Sequence, residues 1–341
     1  MKKYILSLIA LALSLSAFCG TPQRPGVIFD TDQGNDIDDA LALDVLYKMA
    51  DLGKLDILGI TLSKSGLGGV EFVDLMNRFY GYGRVPVGKI TDGAFDPEDH
   101  SVNYAEVVAS MKDDRGRPLF KRSESRCRRA EEGYLLMRKL LAGAEDNSVT
   151  IVSVGFFTNL KRLLESQPDR YSEMDGWELV KRKVNLLVTV AGVMNDASLH
   201  EYNVVNDIPA ARMILEDWPG EVVISPWELG IHIQYPGERI ESDLSWARPH
   251  PLVEAYKCYL PMPYTRSMWD DTAVLFAAGE TGMFTISPYG DVEVTDEGST
   301  IFRENPLGTR RHISVTPGQA DALLRYLTGT IARKPYKNSR P

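Results

Sequence analysis

Cysteine is nearly absent from this chain: Cys19, Cys127 and Cys258 are the three copies in 341 residues. That excludes a disulfide-framed scaffold, and their spacing matches no thiolate metal site or redox motif. Export would permit a Cys127–Cys258 bridge, but the two read better as unrelated thiols. Histidine is also scarce, with five scattered copies. Long apolar runs are missing beyond the N-terminus, so nothing there is suited to cross a bilayer. A basic excess is missing too. The formal charge is -9, and beyond residue 20 there are 36 basic against 47 acidic side chains. Such a chain repels nucleic acid phosphates and anionic lipid unless it concentrates a basic patch. Arg126, Arg128 and Arg129, and Arg310 with Arg311, are short clusters flanked by acids. They read as a solvated helix face and a loop, so no nucleic acid partner is expected.

What remains is ordinary globular material, 44% hydrophobic and 25% charged. Its length allows about two domains or one large α/β domain, with enough chain to bury a core unaided. Gly, Pro and aromatics are spread throughout, which excludes disorder or coiled coil as whole-chain descriptions. The N-terminus reads as a secretory signal over residues 1–20: Lys2 and Lys3, then an apolar stretch from Tyr4 to Ala17 that is short for a membrane span. Leu15-Ser16-Ala17-Phe18-Cys19-Gly20 loosely resembles a bacterial lipobox, so Cys19 is a candidate lipid anchor. The expectation is an exported protein, periplasmic or membrane-anchored.

Short apolar runs alternate with helical patterns. Val27–Phe29, Leu55–Leu62, Val85–Val87, Val149–Val154, Leu186–Val190 and Glu221–Ser225 read as strands. Helices are expected over Ala40–Met49, Val70–Tyr80, Ala130–Ala144, Ile208–Leu215 and Thr272–Ala278. Residues 91–125 read as a long irregular loop, a feature that is often functional. Near the C-terminus come short β segments at Val292–Thr295 and Ile313–Val315, then a helix opened by Thr316-Pro317. Repeated βα units predict a Rossmann-like α/β fold, a mostly parallel sheet with helices on both faces and a small β extension near the C-terminus. In such sheets ligands sit beyond the carboxyl ends of the strands.

Chemistry is concentrated just after the first strand. Asp30, Asp32, Asp36, Asp38 and Asp39 fall within ten residues, between a buried strand and a helix. Helix capping accounts for one or two of them. Five in a partly dry cleft repel one another at a cost that a divalent cation would offset. Carboxylates without Cys or His select a hard ion, Ca²⁺ or Mg²⁺. Three later segments also sit at element junctions: Val149 to Leu160, Glu201 to Asp207, and Ser267 to Val274.

Together these segments resemble the inosine-uridine preferring nucleoside hydrolase family over essentially the whole mature chain, residues 21–341, as a single domain. The Asp30–Asp39 stretch is similar to that family's aspartate and glycine signature, with two extra residues before the paired Asp. Ser153-Val154-Gly155-Phe156-Phe157-Thr158-Asn159-Leu160 resembles its second landmark. Glu201 and Asn203 match a Glu-x-Asn pair placed on the ribose, and Asp270 matches the last metal ligand. The resemblance implies Ca²⁺ held by Asp32, Asp39, Asp270 and the Val154 carbonyl. It implies Asp38 as general base for a water held on that ion. Glu201 and Asn203, joined by Asn195, would bind ribose hydroxyls, with Asn35 and Asp36 lining the same pocket. The family is often oligomeric, so a homo-oligomer is an open expectation.

The implied reaction is cleavage of an N-glycosidic bond through an oxocarbenium-like sugar. A cation that gathers hydroxyls and water, a carboxylate base and clamped hydroxyls all suit it. The chain departs from the family where a histidine handling the leaving base usually precedes the last Asp ligand. Here Trp269 stands, either stacked on a base or part of the core. The replacement acid is His200, His232 or none. The family's Asn after the second strand has no match in Ser63-Lys64-Ser65-Gly66. Two rivals compete: a Ca²⁺-dependent nucleoside or sugar binding protein without turnover, and a haloacid dehalogenase-like Mg²⁺ phosphatase using Asp30 of Phe29-Asp30-Thr31-Asp32 as nucleophile.

Overall fold

The computed structural model describes residues 24–34, 36–94 and 103–336. The expected signal segment, with Cys19, and Asn35 lie outside the described residues. The strands are β1 (Gly26–Thr31), β2 (Asp56–Leu62), β3 (Val87–Gly88), β4 (Val149–Ser153), β5 (Val184–Val190) and β6 (Val222–Ser225). They continue with β7 (Gln234–Pro236), β8 (Thr265–Ser267), β9 (Thr285–Ile286), β10 (Gly290–Val294), β11 (Thr300–Glu304) and β12 (Arg310–Ser314). The main sheet runs in the order β11-β10-β12-β6-β5-β4-β1-β2-β3, with β9 paired to β12. From β12 to β3 every pairing is parallel, while β9, β10 and β11 add antiparallel pairs. The mostly parallel sheet and its C-terminal β extension agree with the sequence expectation.

The buried apolar strands explain why helices lie on both faces. Side chains alternate across a pleat, so a run such as Val27-Ile28-Phe29 supplies both sides. Val27 and Phe29 join one core, which includes the helices Asp38–Asp51, Leu67–Phe79, Trp269–Ala277 and Pro317–Ile331. Ile28 joins the other, with the helices Gly133–Ala142, Thr158–Glu165, Gly176–Lys183 and Ile208–Asp217. Chain order reverses at β1: the path goes out to β2 and β3, then returns to β4 on the other side. The carboxyl ends of β1 and β4 therefore flank a topological switch point, where open α/β sheets bind ligands.

Three sequence expectations change. Residues 91–125 are not wholly irregular, because Tyr104–Ser110 and Glu124–Arg128 are helical. The first is capped by Asn103, whose side chain accepts the Glu106 N–H at 3.2 Å, and it buries Tyr104, Ala105 and Val108. Arg310 is a strand residue, not a loop residue. Its guanidinium donates to the carbonyls of Leu215 at 2.7 Å and Glu216 at 2.8 Å, ending the helix Ile208–Asp217. Helices also form at Gly176–Lys183 and Pro251–Tyr259, where none was expected. Cys127 and Cys258 are both free, as expected of unrelated thiols. Among the described residues no helix is long and apolar enough to cross a membrane.

Candidate active site

The acidic loop is folded by its own polar side chains. Thr31 donates its hydroxyl to Asp39, and Gln33 donates to the Asp39 carbonyl at 2.8 Å. The Tyr104 hydroxyl donates to the Gln33 side chain at 3.1 Å, tying the loop to the helix that follows residue 103. Gly34 adopts φ +107, and a Cβ there would lie 2.5 Å from Asn103 Oδ1, so the turn requires glycine. Asp36 accepts the Ile37 N–H at 2.6 Å, just ahead of the helix Asp38–Asp51.

Five aspartates in one loop have different fates. Asp30 is fully buried beneath the site, accepting from Thr61 at 2.5 Å and Asn159 at 2.8 Å. Burial pushes its carboxyl up to about 7 despite those bonds. It does not line the pocket and cannot meet a substrate, which removes the phosphatase reading. Asp32, Asp36, Asp38 and Asp39 all do line it. Asp38, Asp39 and Asp270 form the tight buried cluster, each offering an oxygen within 4.8 Å of the others. Asp39 and Asp270 are two of the implied ligands, and Asp38 is the implied base beside them. Asp32 lies against the turn after β4, where a Cβ on Gly155 would come within 2.7 Å of its Oδ1.

The cluster joins two helix starts. Asp38 Oδ2 accepts the backbone N–H groups of Trp269 at 3.2 Å and Asp270 at 3.4 Å. The first turns of Asp38–Asp51 and Trp269–Ala277 thus meet at one carboxylate, where partial positive charge favours an anion. Burial still dominates. It raises Asp38 to about 7, with the two N–H bonds acting against it. Asp39 and Asp270 rise well above the usual carboxylate range, first through burial and then through the neighbouring acids. Buried, mutually repelling oxygens with no His or Cys among them fit a hard divalent cation, whose charge would invert that preference for protons.

The remaining expected residues divide. Glu201 lines the pocket and its carboxylate accepts three backbone N–H groups, those of Asn203, Val204 and Gly192, at 2.9, 3.1 and 3.2 Å. Burial nevertheless lifts it to about 7. Asn203 also lines the pocket and donates to the Val154 carbonyl at 3.1 Å, leaving that oxygen its second lone pair. Asn195 is exposed and outside the lining, because its loop is fastened the other way: Val193 N–H donates to Thr300 and Met194 N–H to Glu228. His200 and His232 are exposed, and among the described residues no histidine lines the pocket. Trp269 is half-buried. Its Nε1 donates to the Trp227 carbonyl at 2.8 Å, and its edge packs so closely on Gly230 that a Cβ there would fall 2.0 Å from Cδ1.

The pocket encloses about 260 Å³. Sequence reasoning missed Arg266, Tyr202, Trp227, Tyr259 and Val190, which complete its lining. Arg266 donates two bonds to Asp36, one from Nε at 2.8 Å. Its guanidinium also lies 5.3 Å from the Trp269 ring centre and 5.4 Å from that of Tyr259. The available signal was weak: a cation four residues before the Asp270-Asp271 pair.

The sequence matches the inosine-uridine preferring nucleoside hydrolase family over residues 27–322. The chain belongs to that family. Its fold is that of solved nucleoside hydrolases. A plant nucleoside hydrolase is 17% identical, aligned over 91% of this chain and 99% of its own, with a TM-score of 0.65. The inosine-uridine preferring enzyme of Bacillus anthracis is 16% identical, with 90% and 99% coverage and a TM-score of 0.67. The type III effector XopQ, solved with adenosine diphosphate ribose, is 15% identical, with 92% and 94% coverage and a TM-score of 0.63. No curated protein matches the chain. The protein is a nucleoside hydrolase, with a buried acidic cluster able to hold a metal ion.

Proposed function

We propose that this nucleoside hydrolase is an exported, Ca²⁺-dependent enzyme that splits a ribonucleoside into ribose and free base, with Asp38 as general base. The carrying observation is the Asp38–Asp39–Asp270 cluster at the switch point of the sheet. Asp39, Asp270 and Asp32, with the Val154 carbonyl, would hold the ion. When bound, Ca²⁺ supplies charge that gathers sugar hydroxyls and water and acidifies that water. Asp38 lies beside Asp39 and Asp270, so a water held on the ion would be within reach of its carboxylate. Its Oδ2 is anchored by two N–H groups, which fix the carboxylate for a proton arriving from water. Glu201 and Asn203 orient the ribose, and the surrounding acids stabilise positive charge that develops on the ring.

Reducing-sugar release from a panel of ribonucleosides, with Ca²⁺ and after chelation, tests the proposal. Release that chelation stops and Ca²⁺ restores is expected. Activity indifferent to chelation rejects the ion, and no release from any nucleoside rejects the reaction. Export is tested separately, by mass measurement of the cell-derived protein: loss of about the first twenty residues is expected, with added lipid if Cys19 is the anchor.

A further inference from the structure

The pocket wall combines two chemically distinct groups. Asp38, Asp39 and Asp270 gather oxygens, and Trp269, Tyr259 and Arg266 form an aromatic and cationic group beside them. Building on the N-riboside reading above, the sugar belongs at the acidic cluster, so the base is left to Trp269, Tyr259 and Arg266. Breaking the C1′–N bond leaves its electron pair on the base nitrogen, and the site must accommodate that charge. Among the described lining residues there is no histidine, lysine or cysteine, and Arg266 is the one cation.

We propose that Arg266 stabilises the departing base as an anion. Two observations separate this from a purely structural role. Asp36 occupies only Nε and Nη2 of the guanidinium, and Nη1 makes no hydrogen bond to any described residue. The side chain also keeps 27% of its surface accessible at the pocket wall. Asp36 and the rings of Trp269 and Tyr259 together fix the plane of the fork, so its free N–H groups are preorganised. Arginine does not give up its proton. The chemistry is therefore leaving-group stabilisation without general acid catalysis. The C1′–N pair moves to the base nitrogen while water oxygen bonds C1′ and its proton passes to Asp38. The base anion, held by Nη1–H on a carbonyl oxygen or ring nitrogen of its edge, then takes a proton from solvent water.

The assignment predicts that the value of Arg266 depends on the leaving group. 4-Nitrophenyl β-D-ribofuranoside departs as a stable phenolate and needs little help, whereas inosine needs much. Arg266→Met should lower kcat/KM for inosine by about a hundredfold or more, the scale of losing one oxyanion donor. For the nitrophenyl riboside the fall should be at least tenfold smaller. Both rates come from one preparation, so their ratio is independent of how much of the variant is folded. Equal loss on both substrates overturns the proposal and leaves Arg266 as a brace for Asp36. Wild-type protein inert to both substrates overturns the hydrolase reading itself, and the Arg266 role with it.

Discussion

At the scale of single residues, similar side chains do different jobs because their surroundings differ. Asp30 and Asp38 are both buried and both raised to about 7. Only Asp38 faces the pocket, while Asp30 ties β1 to Thr61 and Asn159. Asp30→Ala should therefore act on stability, because it strands two buried donors at a cost of about 1–3 kcal/mol. Thermal denaturation should record that loss while the folded fraction keeps measurable turnover. Complete loss of activity in well-folded Asp30→Ala protein would contradict this division. Gly230 carries a different consequence. A methyl group there collides with Trp269, so Gly230→Ala should displace the indole and raise KM for nucleosides while kcat changes less.

At the scale of elements, the site is made by helix starts, strand ends and the turns between them. The strand-and-helix alternation was legible because continuous apolar runs and 3.6-residue periods are local signals. The acidic loop was legible because five aspartates in one stretch are too many for capping. The helix Tyr104–Ser110 was hidden in polar surroundings, although Asn103 and Glu106 form a readable cap. Arg266 was not legible. Its partner Asp36 is 230 residues away, and Arg266 reaches it from the β7–β8 ribbon. Arg310 shows what an isolated charge can do for an element. It holds the last carbonyls of Ile208–Asp217 from inside the sheet, so Arg310→Leu should cost about 2–3 kcal/mol, read as a lower Tm.

At the scale of the whole molecule, two buried charge systems pull stability in opposite directions with pH. His250 is buried against Tyr80 and caps the helix Pro251–Tyr259, and burial lowers it to about 2. The unfolded chain therefore takes up its proton first. The resulting stability is complete above about pH 6.5 and is lost as pH falls below it. The acids of the site are raised, so their effect runs the other way. Without an ion, stability is highest below the ordinary carboxylate range and falls as pH rises through about 7. A cation that takes the place of those protons reverses the second trend alone. The rise in Tm on adding Ca²⁺ should thus be larger at pH 8 than at pH 5.5, and an equal shift at both values would argue against the acidic cluster as the site.

On the proposed reading, part of the chain's strong acidity is a local charge set aside for a cation and for a proton. The most direct test is ribose release by Asp38→Asn beside the wild type, at saturating Ca²⁺, with ion binding measured by calorimetry on the same samples. The account predicts turnover lower by about 10²–10⁴, the span of general base catalysis, with Ca²⁺ still bound. Full turnover in that variant would contradict it.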